Sequence, residues 1–330
     1  MARGVRADLA GVLVGDGLPV AVVGVVNVSP ESFHPGSVYQ GEEAIVRAAL
    51  GMVEAGAALI DVGARSTAPY LDTAIDDATE TERLARAVEL LAAKLPVPVS
   101  ADTSRLGPAR AALDAGARVI NDVSTLRDPL LARLVASCSA GLILMASPAA
   151  SGAPEGARGV RRPRASRRRA VRGDHTSRGA RLRRSETGRR TPLAPSDAPS
   201  PVAVVKELLS AGLRRARAAG IPSGRIVVDP GIGFFRDAGL VWHEWDVRVL
   251  RGLGALRALG RPVGVGVSRK SFIGAIVDRE DAAERLAGSL GATAIAVVNG
   301  AALVRTHDVA ETRDVVRVTA RLRPRAAGGA

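Results

Sequence analysis

Short apolar runs in this chain end repeatedly on a residue that can donate, accept or carry charge. Asn27, Asp61, Asp102, Asn121 and Asp229 each follow such a run, as do Ser268, Arg269, Lys270 and Ser271 as a group, and Arg305 with His307. Met145 stands at the equivalent place after the run at 141–144. An ionised carboxylate only accepts, an amide does both, and an ammonium only donates. Asp102, Asn121, Asp229 and Lys270 together therefore offer what a flat heterocycle with amide and amino edges requires of a buried site. Met145 would pack on the apolar face of such a ring. Arg305 and His307 are two residues apart, the spacing that turns two strand side chains to one side, where a guanidinium and an imidazole would hold an anion such as phosphate. Lys270 is one of three lysines among 46 basic residues, and its compact ammonium is not interchangeable with a guanidinium. For any one of these residues, satisfying its own loop backbone or capping a helix is the plainer reading. The series as a whole is what points to a site.

These residues converge only if the runs before them are strands of one barrel. Outside 148–200, β-branched runs alternate with longer Ala, Leu and Arg stretches of helical period, the pattern of βαβ units. Strands are expected near 22–26, 58–62, 97–101, 118–120, 141–144, 225–228, 263–266 and 301–304. Helices are expected near 42–54, 77–93, 107–115, 129–136, 201–218, 244–259, 282–298 and 310–321. Eight such pairs fit a single (β/α)8 TIM barrel spanning 1–330, a fold whose catalytic groups project from the carboxyl ends of its strands.

The formal charge of +13 suggests nucleic acid until its distribution is read. Residues 148–200 hold 14 arginines against Glu155, Asp174, Glu186 and Asp197, which leaves the remainder close to neutral. This stretch, rich in Arg, Ala, Gly, Pro and Ser and without an aromatic residue, cannot form a core and reads as a disordered insertion after the fifth strand. A mobile basic loop that attracts anions, an inert insertion and a reading-frame error in a GC-rich coding sequence all remain open. The lack of aromatic residues to stack bases makes single-strand recognition the weakest of the functional options. No long apolar run suggests a membrane span or a secretory signal, so a cytoplasmic location is expected. The single cysteine, Cys138, is expected to be buried and structural.

Read as motifs, these positions resemble those of the dihydropteroate synthase family. The match spans most of 20–147 and 201–320. It rests on Gly-Val-Val-Asn-Val-Ser-Pro-Glu-Ser-Phe at 24–33, Asp-Val-Gly at 61–63 with Ser66, Thr67 and Pro69, Asp-Thr at 102–103, and Ile-Asn-Asp-Val-Ser at 120–124. Asp-Pro-Gly-Ile-Gly-Phe at 229–234, Ser-Arg-Lys-Ser-Phe at 268–272 and Arg-Thr-His-Asp at 305–308 complete it. The resemblance implies an enzyme of folate biosynthesis that condenses 6-hydroxymethyl-7,8-dihydropterin pyrophosphate with p-aminobenzoate. It implies a pterin pocket of Asp102, Asn121, Met145, Asp229, Lys270 and Arg305, and a p-aminobenzoate side of Thr67, Pro69, Phe234 and Ser271. It also implies pyrophosphate over Asn27, Arg305 and His307, with Mg²⁺ held at Asn27, and a homodimer through the last helices. Asp102, Lys270, Arg305 and His307 are the residues expected to carry the chemistry.

Departures from the family pattern lie in the loops. In the first, Pro35 stands for an acid. In the second, Arg65 stands for an acid and Ala68 for an arginine. Ala146 replaces a histidine, and Gly-Phe-Phe-Arg at 233–236 replaces Gly-Phe-Gly-Lys. Two other readings therefore stay beside the synthase: a pterin-binding paralogue with weak or no activity, and a pterin-dependent methyltransferase. The aryl acceptor is chosen by the loops that differ.

Overall fold

A hairpin that the hydrophobic pattern did not announce precedes the barrel. The computed structural model describes residues 4–29, 41–65, 75–148, 200–236 and 240–322. Strands β1 (Arg6–Leu9) and β2 (Val12–Gly15) pair antiparallel through a two-residue turn, with φ of 55° at Ala10 and 96° at Gly11. Both turn residues are left-handed, which matches the twist of a tight hairpin.

The eight expected strands are present as β3 (Ala21–Asn27), β4 (Leu59–Gly63), β5 (Val99–Asp102), β6 (Val119–Asp122), β7 (Gly141–Met145), β8 (Ile226–Asp229), β9 (Val263–Gly266) and β10 (Ala301–Thr306). They close a barrel in the order β10-β3-β4-β5-β6-β7-β8-β9, with every strand pair parallel. Alternation sorts their side chains. Val23, Leu59, Val119, Ile143, Val227 and Leu303 form the inner cluster, while Val22, Ile60, Ile120, Leu142, Val228 and Val304 join the larger core beneath the helices. Ala7, Leu9 and Val14 of the hairpin complete the inner cluster. A side chain at Gly141 would stand 3.0 Å from Leu9 Cδ2, so the hairpin closes the barrel beneath β7. Each fully buried aliphatic side chain here contributes about 1.5–3 kcal/mol relative to its exposed state.

The helices are α1 (Glu42–Glu54), α2 (Asp77–Ala92), α3 (Leu106–Asp114), α4 (Pro129–Ser137), α5 (Pro201–Ala218), α6 (Trp242–Arg251), α7 (Ser271–Val277), α8 (Leu286–Val298) and α9 (Val309–Leu322). Two differ from expectation. The single helix expected over 244–259 ends at Arg251, and 253–259 continue as 3-10 turns. That over 282–298 begins as a 3-10 turn and becomes α-helical only at Leu286, with α7 an additional helix before it. Cys138 caps the end of α4 and is exposed, which corrects the expectation of a buried thiol. The Arg-rich stretch expected as an insertion falls almost entirely outside the described residues. No helix among them is long and apolar enough to cross a membrane.

Candidate active site

Parallel register sets the first part of the site. Asn27 on β3 lies opposite Gly63 on β4, Gly63 opposite Asp102 on β5, and Asp102 opposite Asn121 on β6. Gly63 keeps this row open, because a side chain there would fill the space between Asn27 Oδ1 at 3.5 Å and Asp102 Cβ at 3.8 Å. Beneath the row sits Asp61, with no solvent exposure. Its Oδ2 accepts from Asn121 Nδ2 at 3.0 Å, from Arg305 Nε at 2.9 Å, and from Arg305 Nη2 as well. Arg305 Nη2 also donates to Asp102 Oδ2 at 2.9 Å. Burial disfavours the Arg305 charge, yet Asp61, Asp102 and Asp229 raise its pKa above the ordinary value. Burial pushes the Asp102 carboxyl up against the opposing pull of Arg305.

This network leaves a surplus of acceptors. Asp61 Oδ1, Asp102 Oδ1 and Asn121 Oδ1 are buried with no hydrogen-bond partner among the described residues. Buried polar atoms are nearly always satisfied, so unspent acceptors at a strand mouth and one level below it mark where a ligand's N–H groups belong.

The second part follows β8 and β9. Asp229, buried and likewise raised by burial, accepts the Gly231 N–H at 2.8 Å. Gly231 has φ 72°, and a Cβ on it would stand 2.0 Å from the Ala146 carbonyl oxygen, so only glycine lets this turn approach β7. Met145, buried at the end of β7, is the register partner of Asp229. Lys270 lies along the same turn, with Gly233 packed on its stem and Nζ 4.9 Å from the Phe234 ring centroid. Burial and the nearby Arg305 lower its pKa to about 8, against the opposing pull of Asp229, Asp246 and Asp102. Asp246 of α6 accepts the Gly233 N–H at 2.9 Å and is itself raised to about 6 by burial.

A lowered lysine pKa has two consequences of opposite sign. Between about 8 and 10.5 the unfolded chain holds the proton that the folded chain has lost, so stability contributed by Lys270 rises with pH. Affinity for any ligand that needs the ammonium as donor falls as pH rises through about 8. Pterin titrations across pH 7–10 check this: wild type should weaken with pH, and Lys270→Met should remove that dependence.

Of the residues expected on the p-aminobenzoate side, Phe234 lies against the Lys270 ammonium and Ser271 follows Lys270 at the start of α7, while Thr67 and Pro69 lie outside the described residues. Arg236 donates to Ser271 Oγ at 2.5 Å and stacks on Trp242 at 4.0 Å, and Phe235 stacks on Trp245 with centroids 4.9 Å apart. Arg269, within the polar group at 268–271, points elsewhere. It is buried, pairs with Asp308 at 2.6 Å and donates to the Ala282 and Ala283 carbonyls. His307 Nδ1 shares a hydrogen bond of 2.9 Å with Ser268 Oγ, so it ties the end of β10 to the loop after β9, whereas Arg305 turns inward to Asp61 and Asp102.

Asn27, the expected Mg²⁺ ligand, places its amide oxygen beside Gly63 at the mouth. No group of three His, Cys, Asp or Glu residues among the described residues could cage a metal. Mg²⁺ commonly keeps several waters and is held by one or two side-chain oxygens plus phosphate, so this donor set fits an ion that arrives with pyrophosphate. Asp61 was named at a strand end but given no role there, and Asp246 and Arg236 are contributors that the strand-end reading did not name.

A closed parallel barrel whose buried acids, amide and ammonium gather at the strand ends is the architecture of a barrel enzyme for a polar, ring-shaped ligand. The family model described as pterin binding enzyme matches residues 23–307. Dihydropteroate synthase of Mycobacterium leprae is 36% identical, over 91% of this chain and 92% of its own length. That of Escherichia coli K12 is 30% identical, over 90% and 89%. Among solved structures, Xanthomonas albilineans dihydropteroate synthase with 4-aminobenzoic acid superposes with a TM-score of 0.73 at 33% identity, covering 97% of this chain and 98% of that one. Its complex with 7,8-dihydropteroate gives 0.70 at 30% identity, over 96% and 98%. The chain belongs to the pterin-binding enzyme family and, within it, to the dihydropteroate synthases.

Proposed function

We propose that this chain condenses 6-hydroxymethyl-7,8-dihydropterin pyrophosphate with p-aminobenzoate to give 7,8-dihydropteroate and pyrophosphate. The observation that carries the reading is the set of buried acceptors on Asp61, Asp102 and Asn121, facing the same end of the barrel as Asp229 and Lys270. Asp102, Asn121 and Asp229 take the amide and amino hydrogens of the pterin, Lys270 donates to a ring acceptor, and Met145 packs on its face. The arylamine nitrogen forms a bond to the methylene carbon as the carbon–oxygen bond to pyrophosphate breaks, and the amine proton leaves to solvent. Positive charge that grows on the ring is stabilised by the carboxylates, already in place before the reaction. A neutral aromatic amine is nucleophilic enough that orientation matters more than deprotonation, and Phe234 and Ser271 orient it, with Thr67 and Pro69 as their expected partners. Asn27, Arg305 and His307 take the pyrophosphate, and Asn27 would hold Mg²⁺, which when bound offsets the charge of the leaving group.

We place the enzyme in the cytoplasm, as a homodimer through α8 and α9, where Ile295, Val298, Val318 and Leu322 are exposed. Purified protein with Mg²⁺ and the dihydropterin pyrophosphate should release pyrophosphate only when p-aminobenzoate is added. Pterin binding without release would identify an inactive paralogue. Failure to bind the pterin pyrophosphate at all would end the synthase reading.

A further inference from the structure

A cluster outside the pterin network converges on one buried acid. Glu80, in the first turns of α2, is 1% exposed. Its Oε1 accepts from Thr103 Oγ1 at 2.6 Å, and its Oε2 faces Arg105 Nη1 at 3.0 Å and Arg65 Nε at 3.3 Å. One negative charge thus serves two guanidinium groups, and the two are not equally committed. Arg105 Nη1 is also paired with Asp77 at 3.0 Å and donates to the Ile75 carbonyl at 2.9 Å. Arg65 Nε stands 3.3 Å from Glu80 Oε2 as an ion pair without a hydrogen bond, and its two Nη groups have no partner among the described residues. Its side chain keeps 21% exposure directly beyond the carboxyl end of β4, near enough to Asp102 to act on that carboxylate.

A guanidinium ion-paired to a buried carboxylate through Nε, with no partner for its Nη groups among the described residues, is suited to two-pronged recognition of an oxyanion, and the buried Glu80 charge draws it to the rim before a ligand arrives. We propose that Arg65 binds an anionic oxygen group of a substrate at the mouth between β4 and β5, with Glu80 as its positioning residue. The anion is a phosphate or a carboxylate, both of which the condensation supplies, so the inference rests on the synthase reading. Of its guanidinium neighbours, Arg105 is bound to Glu80, Asp77 and the Ile75 carbonyl, and Arg305 gives Nε and Nη2 to Asp61 and Asp102.

The experiment is calorimetric titration of wild type, Arg65→Ala and Arg65→Lys, each saturated with 6-hydroxymethylpterin. The ligands are inorganic pyrophosphate with Mg²⁺, p-aminobenzoate and the uncharged p-aminobenzamide. Arg65→Ala is expected to weaken one of the two anions by about tenfold, the scale of one charge-assisted hydrogen bond, and to leave p-aminobenzamide unchanged. Loss for pyrophosphate assigns a phosphate site, and loss for p-aminobenzoate a carboxylate site. Arg65→Lys should recover only part, since an ammonium keeps the charge without the fork. Equal affinities in wild type and Arg65→Ala for both anions, or equal losses for p-aminobenzoate and its amide, would overturn the proposal. A wild type that binds these anions through Arg65 but forms no dihydropteroate would refute the synthase reading while sustaining this one.

Discussion

Asp61→Ala is expected to lower the free energy of unfolding by about 3–5 kcal/mol, the cost of breaking a buried ion pair from one side. The carboxylate is fully buried and accepts from both Arg305 and Asn121. Its removal leaves the Arg305 guanidinium, 14% exposed, to Asp102 alone and strands the Asn121 amide. Asp61→Asn keeps an acceptor but not the charge, so its loss should be smaller. Urea unfolding of the two variants beside wild type measures this. A loss below about 1 kcal/mol for Asp61→Ala would mean that Arg305 does not depend on Asp61 for its place.

Asp102→Asn should leave the fold nearly unchanged and lower kcat by about 100-fold, the usual effect of removing one preorganised electrostatic contact to a transition state. Asp102 differs from Asp61 in position rather than chemistry: it stands in the row at the mouth, opposite Asn121 and beside the gap that Gly63 leaves. Asparagine preserves shape and one acceptor but removes the charge that faces the ring as pyrophosphate departs. Steady-state rates with both substrates saturating give the value. A change under about threefold in kcat would remove Asp102 from the chemical step, whatever its part in binding.

Most barrel strands were legible as short apolar, often β-branched runs with a polar residue at or just after the end, and β7, which ends on Met145, from its apolar run alone. Asp102, Asn121, Asp229 and Lys270 were legible for the same reason, since strand ends in this fold share one mouth. The β1–β2 hairpin was not, because its turn uses Ala10 at φ 55°, and alanine carries no signal for a left-handed position. The break at Gly252 was hidden because Leu253 and Leu256 continue the three-residue apolar spacing into the 3-10 turns. Asp61 stood in the same series as Asp102, but nothing in a linear pattern tells a carboxylate one level below the mouth from one at it. Glu80 and Asp246 lie on helices, where an acid ordinarily faces solvent, and their partners come from other elements: Thr103 and Arg105 for Glu80, the Gly233 amide for Asp246. One signal was available for the second. Both tryptophans of the chain, Trp242 and Trp245, sit on the helix that carries Asp246, an unusual concentration on a segment expected to be an outer helix.

The claim on which the rest depends is that the acids, amide and lysine at the strand ends form a single pterin site. Titration of 6-hydroxymethylpterin into wild type and into Asp229→Asn tests it most directly. One pterin per chain should bind wild type, with affinity at least about tenfold weaker in the variant, since a buried acceptor facing ligand N–H groups has lost its charge. Equal affinity in the two proteins, or no binding to wild type, would contradict it.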